Sequence, residues 1–349
     1  MNLLKRVSVI GHFGKGKCLL NGQTVKTKII TDELCRQLGS NEIIRIDTYG
    51  GKSTVFKAPF QIIKALKNSK NVIIFPAHNG LKVYVPLLSF FRKFYKNRKL
   101  HYVVIGGWLS EFLKNKKRLT KKLMLFDGIY VETNTMKKSL EEQGFNNVVV
   151  MPNCKDLKIL SQEDLVYPVR EPYKLCTFSR VMKEKGIEDA VNAVKTVNES
   201  AGKTIYTLDI YGQVDSEQIQ WFEDLKSAFP DYIKYGGLVD YNNSVDVLKN
   251  YFVLLFPTRF YTEGIPGTII DAYAAGVPVV SAKWESFTDI IIDGVTGIGY
   301  EFLNQNQLIE ILRNIQIEKI LKMKTECLSQ SRKYMPEIII KTIIRQLKN

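Results

Sequence analysis

Short runs of apolar, β-branched and aromatic residues recur through the first 150 positions, at 7–11, 42–47, 71–76, 101–106, 128–132 and 147–151. Amphipathic stretches of helical length separate them. A run that is apolar at every position suits a strand buried on both faces, and strands alternating with helices build a parallel sheet covered on both sides. The pattern pauses over 152–172, where three prolines stand without a sustained period, so this stretch reads as a connection between domains. A second series follows at 173–179, 204–211, 233–236, 251–257, 277–281 and 297–300, with helical spacers such as 187–198 and 307–315. From 317 the chain is helical to 331 and again, after Pro336, over 337–347. The expected fold is α/β, with two doubly wound Rossmann-like domains facing a central cleft and C-terminal helices bracing the first domain. Ligands are expected where the carboxyl ends of the strands face that cleft.

Length agrees with two domains, since 349 residues is about twice a usual domain of roughly 150. Hydrophobic residues at 45% and charged residues at 24% are globular averages, which excludes disordered and fibrous classes. The cysteines at 18, 35, 154, 176 and 327 form no C-x-x-C pair, so they are expected as free thiols in a reducing, cytoplasmic setting. The amino terminus reaches charge too early for a signal peptide, and no apolar run is long enough to span a bilayer, so any membrane contact is expected to be peripheral.

Charge changes the picture more than composition does. Residues 1–150 carry 27 Lys and Arg against 9 Asp and Glu, whereas 151–349 carry 23 against 26. Between Gly50 and Ser110 there are 11 basic residues and no acid, and KNKKRLTKK at 114–122 adds a dense cluster. Such a surface attracts phosphates, nucleic acid or an anionic leaflet. Val83, Leu87, Phe90, Phe91 and Phe94 run beside Arg92, Lys93, Lys96, Arg98 and Lys99 at helical spacing. This pattern fits either a helix packed on a sheet or one lying on a membrane surface.

Several motifs fail on inspection. The segment from Gly11 through Gly16 to Cys18 has P-loop spacing but ends in cysteine where a magnesium-binding hydroxyl belongs, and its glycines miss the dinucleotide pattern. Gly51-Lys52-Ser53 has no first glycine at Ile46 and reads as a strand-exit turn. No D-x-D pair occurs, Asp215 and Glu217 being the nearest, and the three histidines and dispersed cysteines offer no metal cluster. No metal and no cofactor are expected, so phosphate charge falls to Arg, Lys and backbone N–H groups.

Residues 251–283, YFVLLFPTRFYTEGIPGTIIDAYAAGVPVVSAK, read as a buried strand, a loop holding Glu263, Gly264, Ile265, Pro266 and Gly267, a helix, and another strand. A glycine-rich loop opening a helix aims unpaired N–H groups and the positive end of the dipole at an anion. Asp271 follows Glu263 by eight residues, so one acid is placed beside this phosphate seat and the other towards a ribose diol. Upstream, Phe178-Ser179-Arg180 ends a strand and Lys185-Gly186 opens the next helix, placing two cations at the same sheet edge, where they suit a diphosphate leaving group.

The motifs F-S-R-V-x-x-x-K-G at 178–186, L-D-I-Y-G at 208–212 and E-G-I-P-G-x-x-x-D-A-Y-A-A-G-V-P-V-V at 263–280 resemble the donor domain of the family 4 glycosyltransferases, retaining enzymes of the GT-B fold. They cover roughly residues 173–300 in the family's order and spacing. The last is the family's E-x7-E signature, closed here by Asp271. Asn21-Gly22-Gln23-Thr24-Val25-Lys26-Thr27 looks like the family's first acceptor-side loop, and Met151-Pro152-Asn153 like its interdomain junction. The resemblance implies an acceptor-binding domain over 1–152, a linker over 153–172, a nucleotide-sugar domain over 173–330 and a returning helix over 331–349.

It further implies that Arg180 and Lys185 hold the donor diphosphate, Glu263 meets the donor sugar, and the loop from Gly264 to Gly267 lines the pocket. Asp271 would bind the ribose, and Gly212, Gly237 and Leu238 would border the nucleotide. Gly22, Gln23, Gly106 and Gly107 fall on the acceptor side. Family members place a histidine near the reacting carbon, and His78 is the candidate here, with His12 its competitor and His101 at the opposite edge of the sheet.

The partners so implied are a nucleotide sugar, a glycan or lipid-linked acceptor and an anionic membrane surface at the inner face of the plasma membrane, with no nucleic acid. The expected activity is metal-independent retaining sugar transfer in surface-polysaccharide or glycoconjugate biosynthesis. Rival readings are a non-catalytic transferase-like subunit, a nucleic-acid-binding protein using the basic half, and an epimerase or phosphorylase of the same architecture. Base, sugar, linkage and oligomeric state are not legible in the residues.

Overall fold

The computed structural model of the chain describes residues 4–16, 22–50, 52–168 and 170–348. Lys17, Cys18, Asn21 and Gly51, which end or begin motifs noted above, lie outside the described residues. The chain divides into two compact units, residues 1–156 with 334–349, and residues 157–333.

The first unit is a six-stranded parallel sheet in the order β2-β1-β3-β4-β5-β6. Its strands are β1 (Lys5–Gly11), β2 (Ile43–Asp47), β3 (Ser69–Ile74), β4 (Lys99–Val103), β5 (Gly128–Val131) and β6 (Val148–Val150). Between them run α1 (Gly22–Leu38), α2 (Lys52–Asn68), α3 (His78–Phe91), α4 (Leu109–Leu113), α5 (Lys117–Leu123) and α6 (Asn134–Glu142). Alternate residues of one strand enter opposite cores. Ile10, Val72 and Ile74 pack with Ile62, Leu81 and Leu88 of α2 and α3, while Val7, Val9, Ile73 and Phe75 pack with Ile30 and Leu34 of α1. That two-sided burial is why the strands read as continuous apolar runs.

The second unit repeats the design with β7 (Tyr173–Phe178), β8 (Tyr206–Tyr211), β9 (Ile233–Gly237), β10 (Val253–Phe256), β11 (Val279–Lys283) and β12 (Gly297–Glu301), in the order β12-β11-β10-β7-β8-β9. Its helices are α7 (Ile187–Ala201), α8 (Ile219–Ser227), α9 (Ser244–Leu248), α10 (Gly267–Ala274), α11 (Gln305–Arg313) and α12 (Ile317–Ser331). The last helix, α13 (Pro336–Lys348), belongs to the first unit, where Ile339, Ile340 and Ile343 join α1 in the core. α12 stays in the second unit against α10. The apolar stretch 83–94 is α3 ending in a 3-10 turn, with Tyr84, Val85 and Leu88 buried and Phe90 and Phe94 exposed.

In each sheet the chain leaves its first strand in one direction and later returns to build outward from that strand's other side. The switch points lie between β1 and β3 and between β7 and β10, and crevices at carboxyl strand ends open there.

Candidate functional site

The second unit's switch point collects most of the expected donor-side residues. β7 and β10 are neighbours, so the segments that follow them lie side by side. Lys185 stands just before α7 and Glu263 in the loop after β10, 78 residues apart, yet the lysine ammonium and the carboxylate form a direct ion pair, both largely buried. The Thr258 hydroxyl donates to the same carboxylate oxygen at 3.4 Å. The Lys185 ammonium also lies 5.7 Å and 5.1 Å from the ring centres of Phe256 and Phe260.

Two glycines make the close approach possible. Gly186 has φ +68°, and a Cβ there would stand 1.8 Å from the Pro257 carbonyl oxygen. Gly212, at φ +135°, would set a Cβ 1.8 Å from the Ser179 carbonyl oxygen. Only glycine tolerates both the backbone angle and the contact. The Gly212 N–H donates to the Gly237 carbonyl at 2.9 Å, so the ends of β8 and β9 close on each other, with Leu238 exposed beside them.

Arg180 is half-exposed and its guanidinium meets Asp215 at a loose 3.5 Å. An exposed pair at this distance contributes little stability, and the arginine is held lightly enough to be redirected. α10 begins at Gly267 after Pro266 with no side-chain cap, and the buried Thr268 hydroxyl in its first turn has no hydrogen-bond partner. Gly264, Ile265 and Pro266 are buried in the loop leading to it. Asp271, two per cent exposed, faces inward, where its Oδ1 accepts the Ser244 hydroxyl of α9 at 3.0 Å.

A second charge pair at this edge was not singled out from sequence. Arg259 binds Asp189 of α7 through both carboxylate oxygens, at 2.9 Å and 2.6 Å, and its N–H donates to the Glu184 carbonyl at 2.8 Å. Hydrogen bonding to Asp189 raises the Arg259 pKa. The fork-to-fork pair ties the loop after β10 to the start of α7 and so positions Glu263 against Lys185. Its sequence signal is faint, an arginine four residues before Glu263.

In the first unit, a cavity of about 710 Å³ opens at the switch point and is lined by His12, Gln23, Tyr49, His78 and Asn79 among others. Both candidate histidines border it. His12 Nδ1 lies 2.6 Å from the Thr24 hydroxyl, and Gln23 donates to the Phe75 carbonyl at 3.0 Å. His78 opens α3, stacks on Trp108 with ring centres 3.8 Å apart and meets Phe112 edge-on. Burial, then Lys82 and Lys116, lowers its pKa below the usual 6.5.

Gly22 to Thr27 form the first turns of α1, where a loop was expected from the motif. Thr24, Lys26 and Thr27 are buried, and of this segment Gln23 lines the cavity. Lys26 pairs with Glu132 at 2.6 Å in the interior and also donates to the Val104 carbonyl. Glu132 in turn accepts the N–H of Gly106, whose φ of +81° turns the chain towards Gly107 and Trp108. Neither Gly106 nor Gly107 is among the residues lining the histidine cavity.

The P-loop-like segment is closed on its own acid. Asp47 accepts N–H groups from Phe13, Lys15 and Tyr49 at 2.7–2.9 Å. Burial raises its pKa, but these bonds and His12 outweigh it and leave the carboxyl below its ordinary value.

Residues 172–316 match the family described as Glycosyl transferases group 1. A Klebsiella pneumoniae protein, an uncharacterized 41.2 kDa product of the cps region, is 24% identical over 344 residues, covering 88% of this chain and 89% of its own. Several other relatives are longer proteins, of which this chain spans 59% or less. Among solved structures, sucrose-phosphate synthase from Thermosynechococcus elongatus superposes with a TM-score of 0.76 at 14% identity, over 98% of each chain. Anabaena HepE, in complex with UDP and glucose, gives 0.71 at 13% identity over 98% of this chain and 99% of that one. The two six-stranded units therefore carry the GT-B fold, and the second unit carries the match to the group 1 glycosyl transferases.

Proposed function

We propose that the chain is an active retaining glycosyltransferase that moves a sugar from a nucleoside diphosphate sugar to a hydroxyl of a glycan or lipid-linked acceptor in surface-polysaccharide assembly. The observation that carries this reading is the contact between Lys185 and Glu263 at the switch point of the second unit, within a loop that opens a helix lacking a side-chain cap. An arriving diphosphate takes over the ammonium of Lys185 and draws in the lightly held Arg180. Glu263 is then released to accept hydrogen bonds from sugar hydroxyls. As the bond to the anomeric carbon breaks, charge develops on the departing diphosphate, and Arg180, Lys185 and the α10 N-terminus stabilise it. Charge neutralisation by the protein's own cations makes a resident metal unnecessary in this scheme.

Asp271 reaches a ribose diol in this scheme by exchanging its bond to Ser244 for the sugar hydroxyls. The Klebsiella relative's place in a cps region supports a polysaccharide product, and the UDP bound to HepE makes uridine the first base to test. The acceptor hydroxyl is assigned to the His78 cavity of the first unit, where a histidine with a depressed pKa is neutral at pH 7 and able to receive a proton. The net positive amino-terminal half supports contact with an anionic leaflet.

The test is transfer from radiolabelled UDP sugars to extracted surface polysaccharide precursor, with and without EDTA, and NMR of the product's anomeric configuration. Retained configuration with EDTA-insensitive turnover supports the proposal, whereas inversion or an absolute metal requirement refutes the corresponding part.

A further inference from the structure

The basic cluster at 114–122 takes no part in the donor site, and its arrangement is unlike that of a solvated face. α3, α5 and the turn that precedes α5 in the first unit border a second cavity, of about 760 Å³. Its lining includes Lys82, Lys114, Lys116, Lys117, Arg118 and Lys122, and no acidic residue. Leu119 and Leu123 anchor α5 in the core, and Lys117, Arg118 and Lys122 of the same helix line the opening. Lys116 is fixed in place, donating to the Phe112 carbonyl at 2.8 Å with its ammonium 4.0 Å from the centre of the Phe112 ring. Lys82 approaches the same ring at 5.6 Å.

The nearby acids do not neutralise this group. Glu111 is engaged by Lys114 alone, and Asp127 by Arg92. Lys82, Lys116, Lys117, Arg118 and Lys122 form no ion pair among the described residues. Like charges gathered around one cavity repel by about 1 kcal/mol for each close pair even in water, and a bound polyanion turns that repulsion into attraction. The lining carries no aromatic ring on which a base would stack, which disfavours a nucleotide or a nucleic acid. Lysine and arginine both suit phosphate, and four lysines with Arg118, none of them held by an acid, match a ligand with at least two phosphates. Along α3, in four-residue steps from Lys82 and Pro86, comes exposed Phe90, whose ring meets exposed Phe94 at 5.7 Å. The mouth of the cavity thus continues into an apolar ridge.

We propose that the cavity bordered by α3, α5 and the turn that precedes α5 is a diphosphate-binding site, separate from the donor site and from the histidine cavity. It binds two linked phosphates, whether free or esterified. Taken with the transferase reading, on which this part rests, the diphosphate is that of the acceptor. The binding itself is read without turnover.

The test is calorimetric titration of inorganic pyrophosphate into four proteins. They are the wild type, the cavity variant Lys117→Ala/Arg118→Ala/Lys122→Ala, a matched variant Lys57→Ala/Lys64→Ala/Lys67→Ala on the exposed face of α2, and the donor-site variant Lys185→Ala. Circular dichroism confirms folding of each. The expected result is a loss of about tenfold or more in the affinity of the cavity component in the cavity variant and a change within about twofold in the α2 variant, while Lys185→Ala removes the pyrophosphate taken up at the donor site and leaves the cavity component in place. An equal loss in the α2 variant would mean a diffuse surface field, and no loss in the cavity variant would remove the site; either overturns the proposal. So does displacement of pyrophosphate by a single-stranded RNA oligomer at equal phosphate concentration.

In a second arm, phosphatidylcholine vesicles carry either a polyprenyl diphosphate or the same charge as phosphatidylglycerol. Selective capture by the diphosphate vesicles, lost in the cavity variant, identifies an esterified ligand. Equal or no capture beside tight pyrophosphate binding identifies a soluble one. Failure of sugar transfer with pyrophosphate binding intact would refute the transferase reading and leave the site standing.

Discussion

Lys324 should make the second unit less stable than its packing allows. It lies on α12 against α10, wholly buried, with no hydrogen-bond partner for its ammonium nitrogen. Burial, opposed only weakly by the nearby Cys327 thiol, lowers its pKa from 10.5 to about 8. The folded chain therefore holds this proton less tightly than the unfolded one. As pH falls from about 10.5 to about 8 the unfolded state protonates first, so stability is lost through that window and stays lower at neutral pH. At about 1.4 kcal/mol for each tenfold difference in proton affinity, the loss at pH 7 is about 3 kcal/mol. Lys324→Met keeps the length of the side chain and removes the charge. Urea denaturation followed by circular dichroism should show the variant more stable by about 3 kcal/mol at pH 7, with the gap closing towards pH 10.5. A variant of equal or lower stability at pH 7, or a gap that does not change with pH, would refute the reasoning.

Gly186→Ala should cost about 3 kcal/mol or more and abolish nucleotide binding, because a Cβ at φ +68° meets the Pro257 carbonyl oxygen; wild-type stability by thermal melting would refute this. Lys26→Met leaves Glu132 charged in the core and should destabilise by about 3–5 kcal/mol, with much of the loss recovered by adding Glu132→Gln. Urea titration of the single and double variants reads this, and a neutral single variant would contradict it. His101, held between Asn71 and Tyr130, has its pKa pushed down by burial to about 4. The unfolded chain therefore protonates first as pH falls from about 6.5 to about 4, and about 3 kcal/mol of stability goes with it. His101→Gln should flatten that acid limb, and parallel limbs would count against the assignment.

The fold was legible because each strand is buried on both faces. Val7, Val9 and Ile10 all had to be apolar, although they serve different cores. The donor-side loop was legible because Arg180, Lys185 and the glycines around Glu263 crowd the ends of two strands that topology makes neighbours. Long-range pairing was not legible, since nothing local in Arg259 names Asp189, 70 residues away, and nothing in Lys26 names Glu132. The start of α1 was expected as a loop from its resemblance to the family's motif, while the burial that settles it, at Thr24 and Lys26, depends on tertiary packing. The P-loop-like segment was set aside for its cysteine, and its turn, with positive φ at Gly14, Lys15 and Gly16, instead meets the carboxylate of Asp47, supplied by the next strand. The cluster at 114–122 was visible only as charge, since the cavity it forms with α3 is a property of the folded unit.

The most direct test of the central claim is calorimetric titration of UDP, with GDP and ADP beside it, into the wild type, Arg180→Ala and Lys185→Ala. The account predicts that one diphosphate binds the wild type and that each substitution weakens it about tenfold or more, as expected when a charge-assisted hydrogen bond to phosphate is removed. Failure of every nucleotide to bind, or binding that both substitutions leave unchanged, would contradict the assignment of the donor site.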